Sequence, residues 1–344
     1  MQSLALLPWQ QTIASWWANV QHAGRMPHAL MLSGPQGSGK RHLADQICQA
    51  LYANNAQAQA LYQAGTHPDF FRVSLEEKKK EIAVAQIRDL SSRVTLTSQL
   101  DGWRIVWIDP ADRLSRGAAN GLLKILEEPP KQVLFILMVD ELQRVLPTIR
   151  SRCQHLKLQL PAKDAALAWL AQQTEVAGLT PDVLQDWLAL CHGSPLRVLD
   201  ALSSSEDDTP DLLNLADQRQ ASLQQLIHNQ IDVASCADSM LGISADADLH
   251  LKWLQGFALD LLKCAQGLNI NFCENRRASE LLSRLAPHVA AEDVLNYLVR
   301  VGQIRRGVRG NVNAELSLQA ALMPWLNQLK ASAIEPAEAY SLAS

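Results

Sequence analysis

The sequence predicts an α/β domain built on a parallel sheet, followed by a second half made of helices alone. Three observations predict it. Short apolar runs alternate with helix-period segments through residues 1–160, the pattern of a parallel sheet covered on both faces. The first of these runs leads into a glycine-rich loop and then a helix. Beyond Pro161 the strand signals stop, and apolar residues recur at helical spacing to about residue 329.

The elements follow in order. Leu30-Met31-Leu32-Ser33 reads as a strand, and Gly34-Pro35-Gln36-Gly37-Ser38-Gly39-Lys40 as a loop. From Arg41 the spacing of Leu43, Ile47, Ala50 and Leu51 predicts a helix. Residues 70–74 are strand-like, and a helix over 82–96 follows the charged turn 76–81. Residues 105–108 and 133–139 are runs rich in branched and aromatic side chains, expected of buried strands. Between them a helix over 118–126 stops at Glu127-Glu128-Pro129-Pro130, because proline disfavours helix in the residue before it. Past Pro161, helices are expected over 165–173, 182–191 and 196–202. The polar, acidic stretch 203–210 ends in Pro210 and reads as a linker, and the last dozen residues as a frayed end. The expected division is 1–160, 161–206 and 207–344.

Composition bounds the function. Of 344 residues 48% are hydrophobic and 19% charged, which supports a sizeable core. No apolar stretch reaches membrane-spanning length, and the start lacks a signal-peptide pattern. Six scattered cysteines without a CxxC read as reduced thiols of a cytoplasmic protein, with no zinc or redox motif. The net charge of −4 divides unevenly. Residues 1–160 carry 18 Lys/Arg and 13 Asp/Glu, a net of +5, while the rest carry 13 and 22, a net of −9. A basic front is compatible with nucleic acid, although so small an excess is common in proteins that bind none.

Gly34, Gly37, Gly39 and Lys40 fit the phosphate-cradling pattern in its required strand–loop–helix context. Glycines let backbone N–H groups approach phosphate, and the lysine reaches the outer phosphates. The next residue, normally a magnesium-binding Ser or Thr, is Arg41, whose guanidinium has only donors. Arg41 can neutralise phosphate directly, so ATP or ADP in this loop stays open. Asp109 ends its strand where a metal-binding acid stands, or equally as a strand-end cap. Pro110 follows it where a water-polarising carboxylate is needed. These residues predict no intrinsic ATP hydrolysis. In Thr148-Ile149-Arg150-Ser151-Arg152-Cys153, Arg152 is a candidate to stabilise a transferring phosphoryl group across an interface, with Arg150 as its competitor.

Four segments carry a resemblance: Gly65-Thr66-His67-Pro68-Asp69-Phe70, Leu122-Leu123-Lys124-Ile125-Leu126-Glu127-Glu128-Pro129-Pro130, Ser151-Arg152-Cys153, and Asn311-Val312-Asn313-Ala314-Glu315-Leu316. With them the chain resembles the bacterial clamp-loader subunits of the AAA+ class, most of all the stator branch. The resemblance implies an AAA+ domain, a small helical lid and a C-terminal helical collar. It implies a non-catalytic subunit that scaffolds a pentamer with motor (gamma/tau) and wrench (delta) subunits. Arg152 would then serve a neighbour's ATP while a sliding clamp is loaded on primed DNA.

The chain departs from the family in three places. The four-cysteine zinc module is absent between Cys48 and Asp69, so no metal is expected. Met138-Val139-Asp140 replaces the phosphate-sensing threonine of motor subunits. Arg197, in Gly193-Ser194-Pro195-Leu196-Arg197, resembles the second phosphate-sensing arginine and reads either as a remnant contact or as a helix-surface charge. Arg116 and Lys124 lie on or beside the helix that faces DNA in the family, where any contact would be salt-sensitive. The rival reading is an autonomous AAA+ ATPase working through Lys40 and Asp109. A third is a DNA-binding module outside any clamp loader.

Overall fold

The computed structural model describes residues 4–77, 79–100, 102–203, 212–244, 246–308 and 313–333. The proposed linker 203–210 (beyond Ser203 itself), Asn311-Val312 and the C-terminal residues 334–344 lie outside the described residues. The chain divides into two compact units, Met1–Ala162 and Lys163–Ser344.

In chain order the first unit contains α1 (Gln11–Ala23), β1 (Ala29–Ser33), α2 (Lys40–Tyr52), α3 (Ala56–Gln63), β2 (Phe70–Val73), α4 (Val84–Val94) and β3 (Arg104–Ile108). Then come α5 (Arg116–Glu127), β4 (Val133–Val139), α6 (Pro147–Arg150) and β5 (Gln154–Lys157). The strands form one parallel sheet in the order β2-β3-β4-β1-β5. Alternation along each strand serves two cores at once. Met31, Val106, Phe135 and Leu137 pack with Ile87, Leu90 and Leu122 of α4 and α5. Leu30, Leu32, Ile105, Trp107 and Ile136 pack with Trp17, Leu43 and Ile47 of α1 and α2. Residues buried on both faces explain why these strands read as continuous apolar runs.

The register places the C-terminal ends of β3, β4 and β1 side by side, with Ser33 opposite Val139 and Ile108 opposite Leu137. The loops after these strands therefore meet at one edge, the place where open parallel sheets build their sites.

Besides the four-residue α6, three elements escaped the periodicity argument. The α1 helix buries Ile13, Trp17 and Val20, so Trp17 is a core residue. The Ala/Gln-rich α3 starts where Asn55 accepts from the N–H groups of Gln57 and Ala58, a cap its composition conceals. In β5 only Leu156 is buried, so its sequence is too polar to announce a strand. The Gly65–Phe70 segment has a structural task. The Asp69 carboxylate accepts from Ser98 Oγ at 2.9 Å and from the N–H groups of Gln99 and Leu100. His67 stacks on Tyr52 with ring centroids 4.2 Å apart, and burial lowers its pKa.

The second unit is helical. Its first part comprises α7 (Lys163–Leu170), α8 (Pro181–Leu190) and α9 (Pro195–Ser203), closed around Leu170, Leu184, Trp187 and Val198. Its second comprises α10 (Leu212–Ile227), α11 (Val233–Ile243), α12 (Ala247–Ala265), α13 (Ser279–Leu285), α14 (Ala291–Val308) and α15 (Ala314–Ala333). The α12 helix runs through the middle of this core, burying Leu251, Leu254, Phe257 and Leu261. Asn313 opens α15 by accepting from the Leu316 N–H. Among the described residues no helix is long and apolar enough to cross a membrane.

Candidate functional site

The phosphate loop leaves β1 and opens α2, as its spacing predicts. Gly34, Gly37 and Gly39 have φ of 156°, 73° and 91°. At Gly39 an added Cβ would lie 2.5 Å from Gln10 Nε2. Glycine there lets the Gln10 amide donate to the carbonyls of Ser38 (3.2 Å) and Gly39 (3.1 Å). Trp9 also donates its indole N–H to Ser38 O at 3.2 Å, so this tryptophan packs on the loop backbone.

Lys40 turns back into its own loop. Its ammonium donates to Gly34 O (2.6 Å) and Pro35 O (2.8 Å) and pairs with Asp140 Oδ1 at 2.7 Å. Three acceptors consume all three N–H groups. The second Asp140 oxygen accepts from Gln36 Nε2 at 3.0 Å. Asp140 follows β4, and the Asp112 carboxylate accepts from the N–H groups of Asp140 and Glu141 at 3.2 and 3.4 Å. An internal carboxylate thus occupies the lysine that would otherwise hold outer phosphates.

Arg41 points to Asp109. Its Nε lies 2.6 Å from Asp109 Oδ2, and the Asp109 side chain is only 10% exposed. A guanidinium therefore neutralises the acid that a magnesium ion would use. The donor set does not fit a magnesium nucleotide: the hydroxyl ligand is missing, the acid is paired and the lysine is spent. Asp112, the nearest downstream carboxylate, is occupied in holding the turn after β4. Among the described residues no cluster of three or more His, Cys, Asp or Glu could hold a metal.

The arginine turn is built differently. Pro147 starts α6 at a position where its missing N–H costs nothing, and residues 151–153 lead into β5. Arg152 Nη1 donates to Thr148 O at 2.9 Å, and Nη2 donates to Glu127 Oε1 at 2.8 Å. Glu127 is the last residue of α5, where the helix dipole disfavours a carboxylate; the guanidinium offsets that cost. Two of the five guanidinium N–H groups are used, and the side chain remains 35% exposed. Arg150 is exposed and forms no ion pair among the described residues, so its head is not held in one direction. Burial pushes the Cys153 thiol up to about 12, which leaves it protonated and unreactive.

The remaining predicted residues lie apart. Arg116 and Lys124 are exposed on α5, whose start is capped by Ser115 Oγ accepting from the Ala118 N–H. Arg197 belongs to the helical unit, in the first turn of α9, and lines a cavity there. The structure thus brings together the loop, Asp109 and Asp140. Sequence reasoning registered Asp140 as a departure and Glu127 as part of a motif, but gave neither its partner. Partners contributed from 25 residues away (Glu127 to Arg152) or 100 (Asp140 to Lys40) leave no local signal.

An α/β domain bearing this loop, an all-helical remainder and a Ser-Arg-Cys turn define an AAA+ protein of the clamp-loader type. Residues 9–162 match the family model described as DNA polymerase III, delta subunit. Residues 214–327 match its C-terminal counterpart. The DNA polymerase III subunit delta' of Pseudomonas aeruginosa is 32% identical over 336 residues, covering 93% of this chain and 97% of that protein. That of Yersinia pestis is 31% identical, covering 89% and 91%. A gamma subunit-related protein of Thermotoga maritima shares the fold, with a TM-score of 0.51 and 15% identity over 91% of this chain and 99% of that one. The chain belongs to the delta-prime family of DNA polymerase III clamp-loader subunits.

Proposed function

We propose that this chain is the stator of a clamp-loading assembly: it hydrolyses no ATP itself and presents Arg152 to the ATP of an adjacent motor subunit. The observation that carries the proposal is the contrast in how the cations are used. Lys40 and Arg41 are consumed by Asp140 and Asp109. Arg152 is oriented by two bonds and keeps three N–H groups for a phosphoryl group. Orientation before binding is what makes such a donor effective.

In this reading the partners are the motor (gamma/tau) and wrench (delta) subunits, with the sliding clamp and primed DNA reached through the assembly. Glu127 holds the finger in place. Arg116 and Lys124, exposed on α5, would add sequence-independent phosphate contacts that weaken with salt. The family membership and the relatives' names support the setting.

The test is reconstitution with motor and wrench subunits, measuring ATP turnover stimulated by clamp and primed DNA. Arg152→Ala is expected to lower turnover at the adjacent site by about a hundredfold or more, since arginine fingers supply about 10³–10⁵ in kcat. The isolated chain is expected to show no turnover above background. Steady turnover by the chain alone, abolished in Lys40→Ala, would instead establish the autonomous ATPase.

A further inference from the structure

Two of the six cysteines meet in the helical unit. Cys264 lies in the last turn of α12, Cys273 follows nine residues later, and their sulfurs are 3.8 Å apart. Both are thiols. Spacing along the chain gives no sign of the pair, because the turn after α12 brings them together. Gly267 makes that turn with a φ of 76°, and the Leu268 N–H donates back to Lys263 O at 3.0 Å, a helix end of the kind glycine favours.

The approach is fixed on both sides of Cys273. Asp260 is wholly buried and stands one turn before Cys264 on the same face of α12. Its carboxylate accepts from the Glu274 N–H at 3.0 Å and from the Asn275 N–H and Nδ2 at 2.7 and 2.9 Å. Lys263 Nζ pairs with Asp260 at 2.9 Å and donates to Phe272 O at 2.9 Å. Residues 272, 274 and 275 are thus tied to α12, and Cys273 between them faces Cys264. A disulfide needs its sulfurs about 2.05 Å apart, so the two side chains together have less than ~2 Å to close.

Access differs between the two. Cys264 is half-buried and lines an open groove of about 340 Å³ with Gly267, Leu268, Ile270, Ser283 and Pro287. Cys273 is 3% exposed, and burial and the nearby Asp260 raise its pKa. Burial likewise raises the thiols of Cys48, Cys153, Cys191 and Cys236, which keeps them protonated and slow to react. A small oxidant therefore meets the pair at Cys264.

We propose that Cys264 and Cys273 form a reversible disulfide, with hydrogen peroxide as the oxidant. The Cys264 sulfur attacks one peroxide oxygen. The S–O bond forms, the O–O bond breaks, and the departing oxygen keeps the electron pair, takes the thiol proton and leaves as water. The sulfur, oxidised by two electrons, is then a sulfenic acid. The Cys273 sulfur attacks it; the S–S bond forms, the S–O bond breaks, and the Cys273 proton leaves with that oxygen as a second water. An added dithiol reverses the bridge by exchange. The bridge closes over residues 265–272, which include the exposed Phe272 and the Asn271 carbonyl that accepts from Lys163 of α7 at 3.0 Å. It thereby fixes the segment to which the start of α7 is tied.

The experiment treats the full chain with hydrogen peroxide, counts free thiols and maps the bridged peptides by mass spectrometry, before and after dithiothreitol. Loss of two thiols per chain is expected, recovered as one intramolecular Cys264–Cys273 pair and reversed by the dithiol. Bridging should raise the melting temperature by several degrees, because it restricts the unfolded chain. In Cys273→Ser the oxidation should stop at a Cys264 sulfenic acid, captured by dimedone. In Cys264→Ser, Cys273 should stay a thiol and peroxide should leave the melting temperature unchanged. Cys264 is half-buried, so its variant serves if Cys273→Ser does not fold, and the peptide map of the parent chain needs no variant. Bridges that join other cysteines or separate chains, or oxidation that leaves Cys264 and Cys273 unbridged, overturn the proposal.

Discussion

The phosphate loop and the arginine turn belong to the same α/β unit, carry cations of similar chemistry and use them in opposite ways. In the loop each cation is answered from inside: Lys40 by two carbonyls and Asp140, Arg41 by Asp109. In the turn Arg152 receives only enough restraint to fix its direction. The difference teaches that cations of similar chemistry can be paired inside one fold or left with N–H groups to spare. Asp140 pairs with Lys40 and Arg41 with Asp109, while Gly37 and Gly39 keep the positive φ of the loop and α2 starts at Lys40.

The contrast predicts its own tests. Arg152→Lys keeps the charge but not the fork, so it should lower turnover of the assembly nearly as far as Arg152→Ala, by about a hundredfold. Full activity with lysine would mean that Arg152 acts as a point charge. Asp140→Ala releases Lys40 from its carboxylate and should strengthen binding of a fluorescent ATP analogue to the isolated chain about tenfold, worth some 1.4 kcal/mol. Equal affinities would show that Asp140 is not what closes the loop.

Removing the restraint on Arg152 should have a smaller effect. Glu127 and Arg152 form a solvent-facing pair, and such pairs contribute about 0.2–1 kcal/mol. Glu127→Ala in the assembly should therefore cost up to about fivefold in kcat with KM unchanged, and Glu127→Asp should restore part of it. A loss confined to KM would point to packing between subunits instead.

The smallest effect concerns the helical unit. The His250 pKa lies below its ordinary value of 6.5, so between those two values the unfolded chain binds more protons than the folded one. Stability from this residue is complete above the ordinary value and declines as the pH falls from it toward the folded pKa. Melting temperatures from pH 7.5 to 5 should drop less steeply in His250→Gln than in the parent chain; parallel slopes would remove His250 from the account.

Legibility differed between fold and site. Strands β1, β3 and β4 and helices α2 and α5 stood out because burial on one or two faces leaves a periodic apolar pattern. The polar β5 and the alanine-rich α3 left none, since pairing with β1 and the Asn55 cap define them. The motif residues were visible, as were the missing hydroxyl at Arg41 and the missing carboxylate at Pro110.

By itself, then, the sequence determined the α/β-then-helical plan, the family, and the presence of Arg41 and Pro110 where the phosphate-loop pattern has a hydroxyl and a carboxylate. Those depend on residue type and local spacing. Only the tertiary structure decided that Asp140 fills the lysine's reach, that Arg41 pairs with Asp109, and that Glu127 steadies Arg152. Each is a matter of charge placement across distant segments, set by strand register and helix packing rather than by neighbours along the chain.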